Sequence, residues 1–395
     1  MIIGVSVERN LWERRVALVP SAIPTLAKAG FEVYVEPGAG LKAGFADAAY
    51  EKQGARLAKD RTQLFSSAEV LLRVQGLGGN PGGVDDLDLT RSGQVILGLL
   101  NPLGAPEAMQ KLAERGVTAF ALEFLPRITR AQPMDVLTSM ATIAGYKAAL
   151  LAAGTLQKIY PMMITAAGTI TPARVFVVGA GVAGLQAIAT SRRLGAVVQA
   201  YDIRPAVKEQ VESLGAKFLE MELETEGAEG TGGYAQAMGE EFYRRQRKMM
   251  TQAVAENDVV ITTAAIPGRK APVLLTEEMV KQMRPGSVII DLAAESGGNC
   301  ELTKPGETVE SRGITIMGPV NLPATIPYHA SQMYARNVTA FLQNLVKDGA
   351  LNLNLEDPIL RDTLLTHGGE VVHPRVRELL GLPASAPSND KRSNT

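Results

Sequence analysis

A chain of 395 residues is long enough for two domains of ordinary size, each with its own core. Its 40 Lys+Arg against 41 Asp+Glu leave a net charge of −1, which removes any electrostatic reason to expect nucleic acid as a partner. A single cysteine, Cys300, excludes an intrachain disulfide and fits a reducing compartment, while the histidines (His329, His367, His373) lack the spacing of a zinc site.

The first residues, MIIGVSVERN, begin on a strand and lack the basic-then-apolar order of a signal peptide. Short apolar runs follow at Ile2–Val7, Val33–Glu36, Val70–Val74, Val95–Leu99 and Thr118–Leu122. Amphipathic stretches such as Ala22–Ala29 and Glu107–Arg115 lie between them, so parallel pairing is expected. Gly38-Ala39-Gly40 has no phosphate-binding context and reads as a structural loop. Asp135–Tyr160 reads as one long helix ended by Pro161, whose small residues (Ala141, Ala144, Gly145, Ala148) would admit a neighbouring helix or a second subunit. Lys147, Lys158, Arg174, Gln186 and Arg192 interrupt every long apolar run, so no membrane span is expected.

Residues 173–202 carry the most information. The β-branched run Val175–Val178 meets Gly179-Ala180-Gly181-Val182-Ala183-Gly184. A helical segment to Leu194, a second run Ala196–Ala200 and Asp202 follow. Strand, glycine turn, helix, strand and acid is the order of a dinucleotide-binding crossover. Gly179 allows the tight turn, Gly181 lets the backbone approach a pyrophosphate at the helix N-terminus, and Gly184 lets helix and strand pack closely. Asp202 can accept both hydroxyls of an adenosine ribose and would repel a 2′-phosphate, which points to NAD(H) over NADP(H).

Parallel-strand material continues through Val259–Thr262, Val288–Asp291 and Ile314–Met317, and a helix over Tyr328–Val346 returns to the first domain. Cys300 lies in a Gly-Gly-Asn-Cys-Glu stretch without a nearby histidine and is not read as a nucleophile. Glu222–Lys248, acidic and glycine-rich with Tyr234 among its residues, breaks the rhythm. It is either a tolerated surface insertion or a flexible lid that closes over nucleotide through Tyr234. The expected fold is α/β, with two Rossmann-like doubly wound parallel-sheet domains joined by long helices. Residues 1–136 with about 323–382 form a discontinuous N-terminal domain. Residues 137–322 form the dinucleotide domain, with a mobile loop at about 222–242, and 383–395 are a disordered tail.

The chain resembles the NAD(H)-binding component of proton-translocating NAD(P) transhydrogenases. The likeness rests on ERRVALVP (13–20), RITRAQPMDVL (127–137), AGYKA (144–148), PMMITAAGT (161–169), VGAGVAGLQAIATSRRLGA (178–196), DIRPAVKEQVESLGAKF (202–218), GGYAQAMGEE (232–241), TTAAIPGRKAPVL (262–274) and RPGSVIIDLAAESGGNCEL (284–302). The 127–137 and 202–241 stretches are specific to transhydrogenase, whereas the others are shared more loosely with alanine dehydrogenase. By that likeness, the substrate lysine and histidine of alanine dehydrogenases are replaced here by Gln75 and Asn101, and Arg15 alone remains. An amide neither accepts nor returns protons near neutral pH, so amino-acid oxidation is disfavoured and Arg15 reads as a structural ion-pair residue.

The resemblance implies catalytic positioning by Arg127, Gln132 and Asp135. Arg127 donates to the nicotinamide carboxamide oxygen, Asp135 accepts from its nitrogen, and Gln132 reaches toward incoming NADP(H). An ordinary Arg127–Asp135 ion pair is the alternative. The implied cofactor contacts also include Ile128, Thr129, Arg130, Thr138, Val182, Ile203, Arg204, Gln246, Ala264 and Ile266, beside Gly179, Gly181, Gly184, Asp202 and Tyr234; Arg204 reads equally as a solvated charge. The implied cofactors are NAD(H) here and NADP(H) on a partner domain, and no metal. The implied partners are a membrane-spanning transhydrogenase subunit, an NADP(H)-binding subunit and a second copy of the chain. The implied location is cytoplasmic, peripheral on the inner face of the cell membrane through those partners. Two rival readings remain: a soluble alanine-dehydrogenase-like enzyme and a non-catalytic NAD-binding module.

Overall fold

The computed structural model describes residues 1–79, 84–220, 240–265, 268–347 and 349–383. Tyr234, Ile266 and nearly all of the expected loop and tail lie outside the described residues; at the loop's far end, Glu240 already begins a helix to Glu256. The chain divides into two compact units, Met1–Met140 with the chain from Ala324 onward, and Ala141–Pro323.

In the first unit, β1 (Ile2–Val5), β2 (Glu32–Val35), β3 (Arg56–Leu57), β4 (Val70–Gln75), β5 (Val95–Leu99) and β6 (Thr118–Ala121) pair in parallel in the order β3-β2-β1-β4-β5-β6. Helices such as Ile23–Lys28, Arg61–Ser67 and Pro106–Glu114 connect them. A parallel sheet covered on both faces favours strands that are apolar throughout, and Val70–Val74 is buried at every position. The exception inside that run is Arg73, whose guanidinium is held by Asp86 at 2.6 Å and Glu8 at 3.5 Å.

The helix Val136–Thr155 carries the chain from one unit to the other. It is shorter than the expected Asp135–Tyr160 and stops well before Pro161. Tyr160, restricted to extended backbone by the following proline, instead accepts the amide of Ala173 at 3.0 Å. By length and composition this helix is apolar enough to cross a membrane, with mean hydropathy 1.4. Its Ala148, Ala149 and Ala152 are nonetheless fully buried in the core of the second unit.

That unit opens with an exposed hairpin, β7 (Met163–Thr165) and β8 (Gly168–Ile170). Its sheet comprises β9 (Arg174–Val178), β10 (Val197–Tyr201), β11 (Lys217–Phe218), β12 (Val259–Thr262), β13 (Val288–Asp291), β14 (Thr308–Ser311) and β15 (Ile314–Met317). The order is β11-β10-β9-β12-β13-β15-β14, and only β14 runs antiparallel. Alternate residues serve two cores: Val175, Val177, Ile261 and Ile290 face one, while Phe176, Val178, Val260 and Ile289 face the other. Strand order reverses between β9 and β12, the switch point at whose carboxyl ends α/β sheets bind ligands.

Back in the first unit, the helix Pro327–Leu345 precedes β16 (Val346–Lys347), β17 (Ala350–Leu351), β18 (Leu364–His367) and β19 (Glu370–Val371). Of these, β18 adds antiparallel to β6, and β19 to β18. The class is the expected one: α/β with two Rossmann-like, mainly parallel sheets. The antiparallel edges β14, β18 and β19 depart from purely parallel pairing.

Candidate functional site

Strand β9 ends at Val178, and the chain turns through Gly179, Ala180 and Gly181 into the helix Val182–Arg193. Gly179 has φ +96°, and a Cβ there would lie 2.5 Å from the Thr263 hydroxyl. A Cβ on Gly184 would sit 1.9 Å from the Gly179 carbonyl oxygen, so helix and turn touch only because that position lacks a side chain. Gly181 is different: a Cβ there would meet nothing within 4 Å. It is the N-cap residue and offers no side chain to the first amides of the helix. Those amides and the helix dipole form an anion site with open space beside it. A dinucleotide pyrophosphate fits that cradle.

At the end of β10, Asp202 is bound into the turn. Its Oδ2 accepts the Ala180 amide at 2.7 Å and Arg204 Nη2 at 2.9 Å. Its Oδ1 accepts the Arg204 amide and Nε, both at 2.9 Å. Ile203, between them, is half-buried. Val182, 39% exposed, is an apolar side chain left at the mouth of the turn. Gln246 is buried and donates to the Tyr201 hydroxyl at 3.0 Å, which joins the Glu240–Glu256 helix to the β10 end.

After β12, Thr263 donates to the Gly179 carbonyl at 3.1 Å, and Ala264 is gripped by buried Asn299. The Ala264 amide donates to Asn299 Oδ1 at 2.9 Å, while Asn299 Nδ2 donates to the carbonyls of Ala264 and Pro272, each at 2.8 Å. Asn299 is positioned in turn by Asp291, whose Oδ2 accepts the amides of Asn299 and Cys300 and the Thr303 hydroxyl. Sequence reasoning does not single out Thr263, Asp291 or Asn299: Thr263 and Asn299 bond to residues remote along the chain, and Asp291 bonds mainly to the loop that follows it and folds back. Gly145 is a further case: a Cβ there would lie 2.0 Å from the Ala183 carbonyl oxygen. The neighbour admitted by that small residue is the Val182–Arg193 helix.

The other expected site residues lie in the first unit. Arg127, Ile128, Thr129, Arg130 and Gln132 are exposed on or beside the 3-10 turn Thr129–Met134. That stretch is anchored from below by buried Ala131 and Met134 and by Asn337, whose Nδ2 donates to the Pro133 carbonyl at 2.7 Å. Arg130 is engaged by Asp357 and Asn344. Asp135 accepts the Thr138 amide at 2.9 Å and its hydroxyl at 2.6 Å, which makes it the N-cap of the Val136–Thr155 helix.

Arg15 is buried and forked onto Glu13 at 2.8 and 2.7 Å. Gln75 accepts from Asn10 Nδ2 at 2.7 Å, and Asn101, at φ +50°, donates its amide to Glu123. Burial pushes the Glu123 carboxyl up to about 7 against the opposing backbone amides, among them those of Asn101 and Leu100.

Two family descriptions match the chain: the alanine dehydrogenase/PNT N-terminal domain over residues 4–144 and the C-terminal domain over 148–374. The chain is 47% identical to the first section of the NAD(P) transhydrogenase alpha subunit of Rhodospirillum rubrum, over 95% of this chain and 98% of that protein. It is 31% identical to alanine dehydrogenase of Bacillus subtilis, over 100% of this chain and 99% of that one. The crystal structure of transhydrogenase from Sinorhizobium meliloti superposes with a TM-score of 0.84 at 45% identity, covering 94% of this chain and 100% of that one.

Proposed function

The chain belongs to the alanine dehydrogenase/PNT family, and on that premise we propose that it is the NAD(H)-binding component of an NAD(P) transhydrogenase. The observation that carries this reading is the cradle at the β9 end, with open space at Gly181 and Asp202 beside it. Gly181, Val182 and Gly184 hold the pyrophosphate through backbone amides, and Asp202 takes the adenosine ribose. Ile203, Gln246 and Ala264 complete the adenosine and ribose surroundings. In the 127–135 stretch, family likeness supports Arg127 and Asp135 as the groups that orient the nicotinamide carboxamide. It supports Gln132 as the one directed toward NADP(H), with Ile128, Thr129 and Thr138 lining the ring.

When bound, the cofactor supplies hydride chemistry that asks for no general acid or base from the protein. The residues of the chain therefore bind, orient and exclude water. NADP(H) belongs to a partner subunit, and a membrane-spanning subunit couples transfer to proton movement, so the chain works at the inner face of the cell membrane. The working form is a dimer. The exposed apolar hairpin at Met162–Ile170, with Ile164 80% exposed, is a surface a second copy would cover.

Alanine dehydrogenase activity is the rival within the family. Against it stand Gln75 bonded to Asn10, Asn101 held by Glu123 and Arg15 neutralised by Glu13. The purified chain, mixed with a transhydrogenase NADP(H)-binding domain, is expected to catalyse NADH-dependent reduction of an NAD+ analogue when NADP(H) is present. Neither component alone should turn over. Alanine-dependent NAD+ reduction by the chain alone would overturn the reading.

A further inference from the structure

The carboxylate of Asp202 has about four lone-pair positions, and four N–H groups occupy them. Two of these donors, the amides of Ala180 and Arg204, are backbone and fix the carboxylate to the turn. The other two come from the Arg204 side chain, whose fork closes over the edge that remains. The pair is well shielded, with the Arg204 and Asp202 side chains only 17% and 7% exposed. A ribose diol needs two acceptor positions on this carboxylate. Both backbone amides are held by the fold, so the positions it can gain are those of the guanidinium. A guanidinium two residues beyond the acid is also a group that accommodates a 2′-phosphate once it has turned outward.

We propose that Arg204 is a specificity-determining residue that competes with the adenosine ribose for Asp202. It weakens NADH binding and narrows the margin by which the site rejects a 2′-phosphorylated dinucleotide. This rests on the reading of the second unit as an NAD(H) site and goes beyond it. The closed pair holds the Asp202 carboxylate in one orientation. Opening it exchanges two charge-assisted hydrogen bonds for two ribose hydroxyls, and the displaced cation then faces the 2′ position.

The test is titration of the full chain with NADH and with NADPH, followed by fluorescence or calorimetry, for the wild type, Arg204→Ala and Arg204→Lys. Arg204→Ala is expected to bind NADH about three- to tenfold more tightly and NADPH more weakly, so the two affinities move apart. Arg204→Lys, which keeps the charge but cannot fork, should gain NADH affinity while retaining most NADPH binding. A merely structural Arg204 would move both ligands in one direction. If NADH binding by Arg204→Ala is unchanged or weaker, or both ligands shift by the same factor, the competition is refuted while the NAD(H) site stands. If the wild type binds no NADH, the site reading itself fails and the inference with it.

Discussion

Asp135 holds both Thr138 groups as a helix cap and is also the residue proposed to fix the nicotinamide amide. The two roles separate in Asp135→Asn. Asparagine is as good an N-cap as aspartate and keeps an acceptor for the Thr138 amide, so stability should change by about 0.5 kcal/mol or less. The orienting charge is lost, so hydride transfer with the partner domain should fall by more than about tenfold while NADH affinity stays within about threefold. Equal losses in rate and affinity would remove the orienting role.

Glu123 makes a second prediction. Its Oε1 serves two backbone amides of the β5 turn, and its Oε2 is buried with no hydrogen-bond partner among the described residues. A carboxyl raised from 4.5 to about 7 in the fold favours the protonated form. The stability it contributes is full below the unfolded value and is lost as pH rises through about 7. Glu123→Gln, neutral at every pH, should therefore flatten the fall in melting temperature between pH 5 and 8, an effect of roughly 1–3 kcal/mol. Parallel melting curves for the two proteins across that range would refute it.

Elements are legible in proportion to their length and to how fully they are buried. Continuous β-branched runs such as Val175–Val178 and Val288–Asp291 declare themselves, because a strand covered on both faces tolerates few polar residues. The two-residue β19 and the exposed hairpin β7–β8 do not, since neither is long enough, or buried enough, to impose a pattern. The long helix reads past its true end because no glycine or proline punctuates Leu156–Tyr160 before Pro161.

The glycine turn allows a paired test. Gly184→Ala drives a methyl into the Gly179 carbonyl and should cost about 1–3 kcal/mol or more in thermal or urea unfolding. Gly181→Ala meets open space at φ −75°, so the fold should hold while NADH affinity drops about tenfold or more. Two equally stable variants would undo the close packing assigned to Gly184. Unchanged NADH affinity in Gly181→Ala would undo the cradle.

For the whole molecule, two doubly wound sheets can be foreseen because each crossover unit is local in sequence. The polar framework cannot. Arg73, Glu8, Asp86, Arg61 and Glu36 join in one ionic cluster across the first unit, and Asn299 reaches Ala264 across the second. Such partners meet only once the sheets exist, so no window of sequence contains them. The motif at 179–184 announces a cradle, yet nothing local reveals that Arg204 forks onto Asp202. That depends on the conformation of the backbone after β10.

The solitary thiol is sealed inside the second unit. Cys300 is 1% exposed, and burial pushes it up to about 11. Alkylating or disulfide-forming reagents can reach it only when the second unit opens, since the thiolate is the reacting species. With no other sulfhydryl in the chain, the native protein is a silent background for labelling. A cysteine installed on any exposed residue can carry a spectroscopic probe without first stripping the parent of its own.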